Sequence, residues 1–192
     1  TIMPSINLNG DELMAITAYL SDLRKDSGKS SELRPYLEKA GDPKHGEELF
    51  FDLNGKATCA KCHQVNGKGG QVGPNLSFVG SSRTKPFILE SIIDPKAVIT
   101  VGYASVSIMT KEGGLLSGIR KIEDDTSIDL MDKDGKQIHV SKDQIKKMKT
   151  QSISMMPSNF KEILGVDEVR DILAYLETLK SPLSNEFASV EH

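Results

Sequence analysis

Two thiols three positions apart, with an imidazole directly behind the second, make Cys59-Ala60-Lys61-Cys62-His63 the most chemically pointed stretch of this chain. These are the only two cysteines among 192 residues. Three chemistries use such a cluster. A tetrahedral zinc site takes thiolates as half of its ligands, but no second pair exists, and His45 and His139 stand without ligand spacing. A redox dithiol sits at a strand-to-helix junction of an α/β sheet, whereas here a helix is expected before the motif and a glycine-bearing loop follows it. The third chemistry is covalent attachment of a c-type haem. Cys59 and Cys62 would add to its two vinyl groups and His63 would ligate the iron. Two intervening residues set the thiols at the vinyl spacing, and the adjacent histidine falls beneath the metal. This reading also accounts for the lack of any other cysteine, and it is the one adopted.

The residues that follow fit the same chemistry. In Gly69-Gly70-Gln71-Val72-Gly73-Pro74-Asn75-Leu76, the glycines let backbone turn tightly and approach a flat ligand closely. Pro74 fixes φ and leaves its carbonyl free to accept. A metal-bound histidine needs its other ring nitrogen held by such a group, which sets the tautomer and orients the ring.

The elements that must position these groups can be read outward from the motif. Before it, Asp42 is a candidate N-cap, Pro43 suits a first helical turn, and Glu47 and Glu48 favour the positive helix end. After it, Lys85 to Asp94 reads as a short helix ended by Pro95. Residues 102–147 then alternate apolar and polar side chains in about four strands. Lys-Glu-Gly-Gly and Asp-Lys-Asp-Gly punctuate them as hairpin turns, so a small antiparallel β subdomain is expected as an insert. The last strong helix carries Val169, Ile172, Leu173, Leu176 and Leu179 on one face. The fold class expected is therefore mainly α, around a haem.

Met3-Pro4-Ser5 and Met156-Pro157-Ser158 open two similar segments, each running through Asp-Glu to a helix with Ala-Tyr-Leu. Residues 1–25 read accordingly as the C-terminal helix remnant of a preceding similar domain. Residues 26–41 are expected to be a linker, 42–180 the main domain, and 181–192 a tail ending in Val190 to His192, which resembles a tag junction. The formal net charge of −3 gives no sign of nucleic-acid binding. No run of about 18 apolar residues is present to span a membrane.

Taken together, the helix with Gly46 and Phe50, Cys59-Ala60-Lys61-Cys62-His63, Gly73-Pro74-Asn75-Leu76, a Met-Pro and a helix with Ile172 to Leu176 resemble class I cytochromes c. Ile88 to Tyr103, the β-rich insert and Ser152 to Phe160 resemble, more narrowly, the haem-binding CxxCH domain described from planctomycetes and verrucomicrobia. The resemblance covers about Asp42 to Leu179. It implies that Gly46 and Phe50 meet Ile172 and Tyr175 where first and last helices cross, and that the Pro74 carbonyl accepts from His63. It also implies that the methionine before Pro157, Met156, is the second axial ligand, with Met155, a histidine such as His139, or an open site as the alternatives. Arg83 and Tyr103 lie in the loops expected to wrap the cofactor and are candidates to hold its propionates.

The implied function is a monohaem c-type cytochrome domain with one covalent haem c, passing single electrons to a redox partner protein or domain. It would be a module of a larger multidomain dehydrogenase, non-enzymatic itself, and periplasmic or otherwise extracytoplasmic. The alternative is a haem-based gas sensor or ligand-binding domain with a displaceable distal methionine. Oligomeric state is not legible.

Overall fold

The computed structural model describes residues 29–181. The helix expected within residues 1–25, Met3 and the tail beyond residue 181 lie outside them. The chain divides into two units, Thr1–Arg34 and Pro35–His192, and the second holds everything that follows except the start of α1.

Helix α1 (Lys29–Leu37) falls within the stretch that reads as a linker, and it carries Pro35 inside it. Helix α2 (Pro43–Phe51) starts where Asp42 caps it, the carboxylate accepting from the Lys44 and His45 amides at 2.9 and 3.4 Å. After the cysteine motif come a two-stranded ribbon, β1 (Gln64–Val65) and β2 (Lys68–Gly69), and helices α3 (Val79–Ser82) and α4 (Lys85–Ile93). The β region contributes β3 (Ser105–Thr110), β4 (Leu115–Glu123), β5 (Ser127–Met131), β6 (Gln137–Ser141) and β7 (Ile145–Thr150). Helices α5 (Phe160–Ile163) and α6 (Val166–Thr178) close the described chain.

Helix α6 buries Val169, Ile172, Leu173, Tyr175 and Leu176, which places its apolar stripe against α2 and α3. Removal of each such side chain from water is worth about 1.5–3 kcal/mol. Glycine makes the crossing close: a Cβ at Gly46 would lie 1.9 Å from the Asp171 carbonyl oxygen and 2.9 Å from the Ile172 amide nitrogen. Phe50 packs with its ring centroid 5.6 Å from that of Tyr175. Asp171 ties the two helices further, accepting from the Asp42 amide at 2.7 Å and pairing with His45 Nδ1 at 2.7 Å.

Strands β3 to β7 form one antiparallel sheet in the order β6-β5-β4-β3-β7. Val106, Ile108, Ile128, Leu130 and Val140 make its own core, with Leu116, Ile138 and Ile145 packed against it. A short 3-10 turn, Lys142–Gln144, swings the chain from β6 back across to pair β7 with β3.

The expectation of a mainly α fold with about four strands is corrected by this sheet. Among the described residues, 34% are helical and 23% lie in strands, so the domain is mixed α and β. Strand β7 runs past the expected end of the insert at residue 147, and its composition explains why it is hard to see. Lys146, Lys147 and Lys149 erase the apolar alternation. As an edge strand it is held by backbone pairing with β3, and lysine is a usual occupant of such an edge.

Candidate functional site

Cys59 and Cys62 lie on one tight turn. Thr58 enters it in the left-handed region (φ 46°), and the Cys62 and His63 amides donate to the Cys59 carbonyl at 3.1 and 2.9 Å. The loop from Gly69 to Leu76 is strapped back over this turn. The Gly70, Gly73 and Leu76 amides donate to the carbonyls of Ala60, Cys62 and Gln64, each at 2.8 Å. A Cβ at Gly70 would sit 2.0 Å from the Lys61 carbonyl oxygen, and one at Gly73 would sit 2.6 Å from His63 Cε1. No other residue type fits at either position without displacing the motif.

The strap delivers the Pro74 carbonyl oxygen to 2.9 Å from His63 Nδ1. A carbonyl only accepts, so Nδ1 carries the proton and Nε2 keeps its lone pair. Burial lowers the His63 pKa, opposed by the Pro74 hydrogen bond, which favours a neutral ring. Burial pushes the Cys59 thiol up to about 12. Burial also raises Cys62, with Lys61 opposing and the Asp134 carboxylate adding to the rise. Both cysteines are free. Thiols held protonated in this way lack the low pKa of a redox dithiol. Among the described residues, no group of three or more His, Cys, Asp or Glu is placed to share a metal.

Cys59, Cys62 and His63 open onto a cavity of about 670 Å³ that also takes in Pro74, Arg83, Tyr103, Met155 and Met156. That volume falls within the range of about 300–1,000 Å³ usual for cofactor sites. Phe50, Ile88, Ile92, Phe160, Leu164, Ile172 and Leu176 supply much of its apolar wall. The fit to a haem rests on this combination: a largely apolar cavity, two neutral thiols on one turn, an imidazole with Nε2 free, and thioether sulfurs in the lining.

Other candidates fall differently. Met156 follows a short turn in which its amide donates to Ser154 Oγ at 3.2 Å. The Arg83 guanidinium lies 5.2 Å from the Phe87 ring centroid and donates to the Ser82 carbonyl at 2.9 Å. His139 is not brought to the cavity; it is exposed on β6 and paired with Asp129 at 2.7 Å. Four lining residues that sequence reasoning missed are Val72, Ile119, Lys133 and Phe78. Only Val72, inside the glycine-bearing loop, had a local signal.

The Cytochrome c family model matches residues 43–115. The match supports a c-type cytochrome, whose cofactor is covalently bound haem c and whose chemistry is electron transfer. No curated protein matches the chain. Among solved structures, SoxXA from P. pantotrophus is similar at 18% identity and a TM-score of 0.39, over 74% of this chain and 85% of that one. A likeness at that level carries no argument about the site.

Proposed function

We propose that residues 42–180 form a monohaem electron-transfer module of a larger multidomain redox enzyme, in which Cys59 and Cys62 attach haem c and His63 and Met156 ligate its iron. Haem c supplies a one-electron iron couple. The observation that carries this reading is the 2.9 Å contact between His63 Nδ1 and the Pro74 carbonyl, which leaves Nε2 to bind metal in the cavity that Cys59, Cys62 and Met156 share.

The chain's own groups then divide the work. His63 and Met156 would hold the iron, and a histidine–methionine pair would raise its reduction potential. Held by both residues, the group would pass electrons and make no bond to substrate. Pro74 orients His63. Arg83 and Tyr103, both in the cavity lining, stand as donors for propionates that would otherwise be buried without partners. Lys61 and Lys68 offer cations to a redox partner approaching beside the motif. Covalent haem attachment takes place outside the cytoplasm, which puts the module in the periplasm or another extracytoplasmic space. Among the described residues no helix is long and apolar enough to cross a membrane.

Voltammetry of the holoprotein, followed by carbon monoxide added to the reduced form, tests this function. A reversible one-electron wave and no fast spectral change with carbon monoxide are expected. A rapid shift would show a displaceable ligand and would replace electron transfer with a ligand-binding role.

A further inference from the structure

The inserted sheet meets the cavity lining or the strap that leads to Pro74 at three separate places, and two of them bear on the strap. The first is a bulge in β4. Pairing with β5 runs Arg120 to Leu130 and then Ile122 to Asp129, so Lys121 is the extra residue. A bulge bends its strand and re-aims a side chain. Here the Lys121 ammonium leaves the sheet, donates to the Gln71 carbonyl at 2.6 Å, and stands 5.0 Å from the centroid of the Tyr103 ring. The second is the β5–β6 turn, where a Cβ at Gly135 would lie 3.8 Å from Val72 Cγ2 and where Lys133 lines the cavity. The third is Ile119 of β4, only 2% exposed, which forms part of the cavity wall itself.

Gln71 and Val72 stand directly before Gly73, whose amide is bonded to the Cys62 carbonyl, and Pro74, whose carbonyl holds His63. We propose that the sheet is a wall of the haem crevice rather than an appended module, and that Lys121 is the positioning residue that clamps the Gln71–Pro74 strap against it. The inference rests on the haem reading above.

The chemistry of the clamp suits the task. A charged donor to a carbonyl makes a hydrogen bond roughly twice as strong as a neutral one, and the aromatic face beside it attracts the same cation. A sheet joined to the helical part only by its two chain connections could swing on them; Lys121 and Val72 remove that freedom on the side where His63 is oriented.

The test uses holoprotein and three variants: Lys121→Met, Lys121→Arg, and Lys111→Met, which deletes the same charge at the β3–β4 turn. Hydrogen exchange is followed at the Gly73 amide, and the oxidised protein is reduced with ascorbate. Lys121→Met is expected to speed Gly73 exchange roughly tenfold, the effect of one charge-assisted hydrogen bond. It should also accelerate reduction, although loss of a cation would by itself slow an anionic reagent. Lys121→Arg keeps both contacts and should stay at wild-type values. If Lys121→Met matches Lys111→Met in both measurements, the clamp is overturned. The denatured-haem spectrum of the wild type is recorded first, so failure of covalent attachment would be seen separately from failure of the clamp.

Discussion

Replacing Gly46 by alanine adds one methyl group at the tightest point of the α2–α6 crossing. The new Cβ would lie 1.9 Å from the Asp171 carbonyl oxygen, where ordinary contact begins at 3.4 Å. The obstacle is backbone, so no side-chain rotation relieves it, and the helices must part by about 1.5 Å. A radial gap of even 0.5–1 Å forfeits about a quarter to a half of each dispersion contact across an interface. This interface holds Phe50, Ile172, Leu173 and Tyr175, all at most 5% exposed. Parting also strains the Asp171 bonds to the Asp42 amide and to His45. Overpacking of this kind costs about 1–3 kcal/mol, and the lost helix ties place Gly46→Ala at or above the top of that range. Urea unfolding of the holoprotein, read by circular dichroism and by haem absorption, should show the midpoint falling by about 1.5 M or more at a slope of about 2 kcal/mol per M. Gly67→Ala is the control. Gly67 has φ +81° but nothing within 4 Å of its Cβ position, so only about 1 kcal/mol of backbone strain is expected. A Gly46→Ala protein no less stable than Gly67→Ala would refute the close-crossing argument.

Gly73→Ala should disturb the His63 ring rather than global stability, because its Cβ would fall 2.6 Å from Cε1; the low-spin absorption spectrum should be lost or broadened, and an unchanged spectrum counts against the strap. The His45–Asp171 pair makes stability depend on pH. Its hydrogen bond raises the His45 pKa above the ordinary 6.5, so its stabilisation is full below pH 6.5 and is lost as pH rises through the raised value. His45→Ala should flatten that decline, and identical pH–stability profiles would dismiss the coupling. Acid–acetone extraction should release the haem from Cys59→Ala/Cys62→Ala and leave it bound in wild type; release from both would end the thioether assignment.

The site was more legible than the fold that surrounds it, because its key groups are close in sequence. Cys59, Cys62 and His63 fall within five consecutive residues, and the strap that meets them ends eleven residues after His63, at Pro74. Such local patterns survive translation into structure. Lys121 could not be found in the same way, since a bulge is a property of the pairing between β4 and β5 and has no composition of its own. Strand β7 was hidden by its three lysines, which suit an exposed edge but break the alternation that marks a strand. Helix α1 was hidden by its serines and by Pro35, which read as linker chemistry, although Arg170 of α6 donates to the Pro35 carbonyl at 2.5 and 3.1 Å. Tertiary contact overrides weak propensity in such short elements.

The proposed electron-transfer module depends on His63 and Met156 together ligating the haem iron. Its most direct test is the absorption spectrum of the oxidised holoprotein, including the methionine-to-iron charge-transfer band, for wild type, Met156→Ala and Met155→Ala. The band is expected in wild type and Met155→Ala and should be absent from Met156→Ala. A band that survives in Met156→Ala and disappears in Met155→Ala, or one absent from wild type, would contradict it.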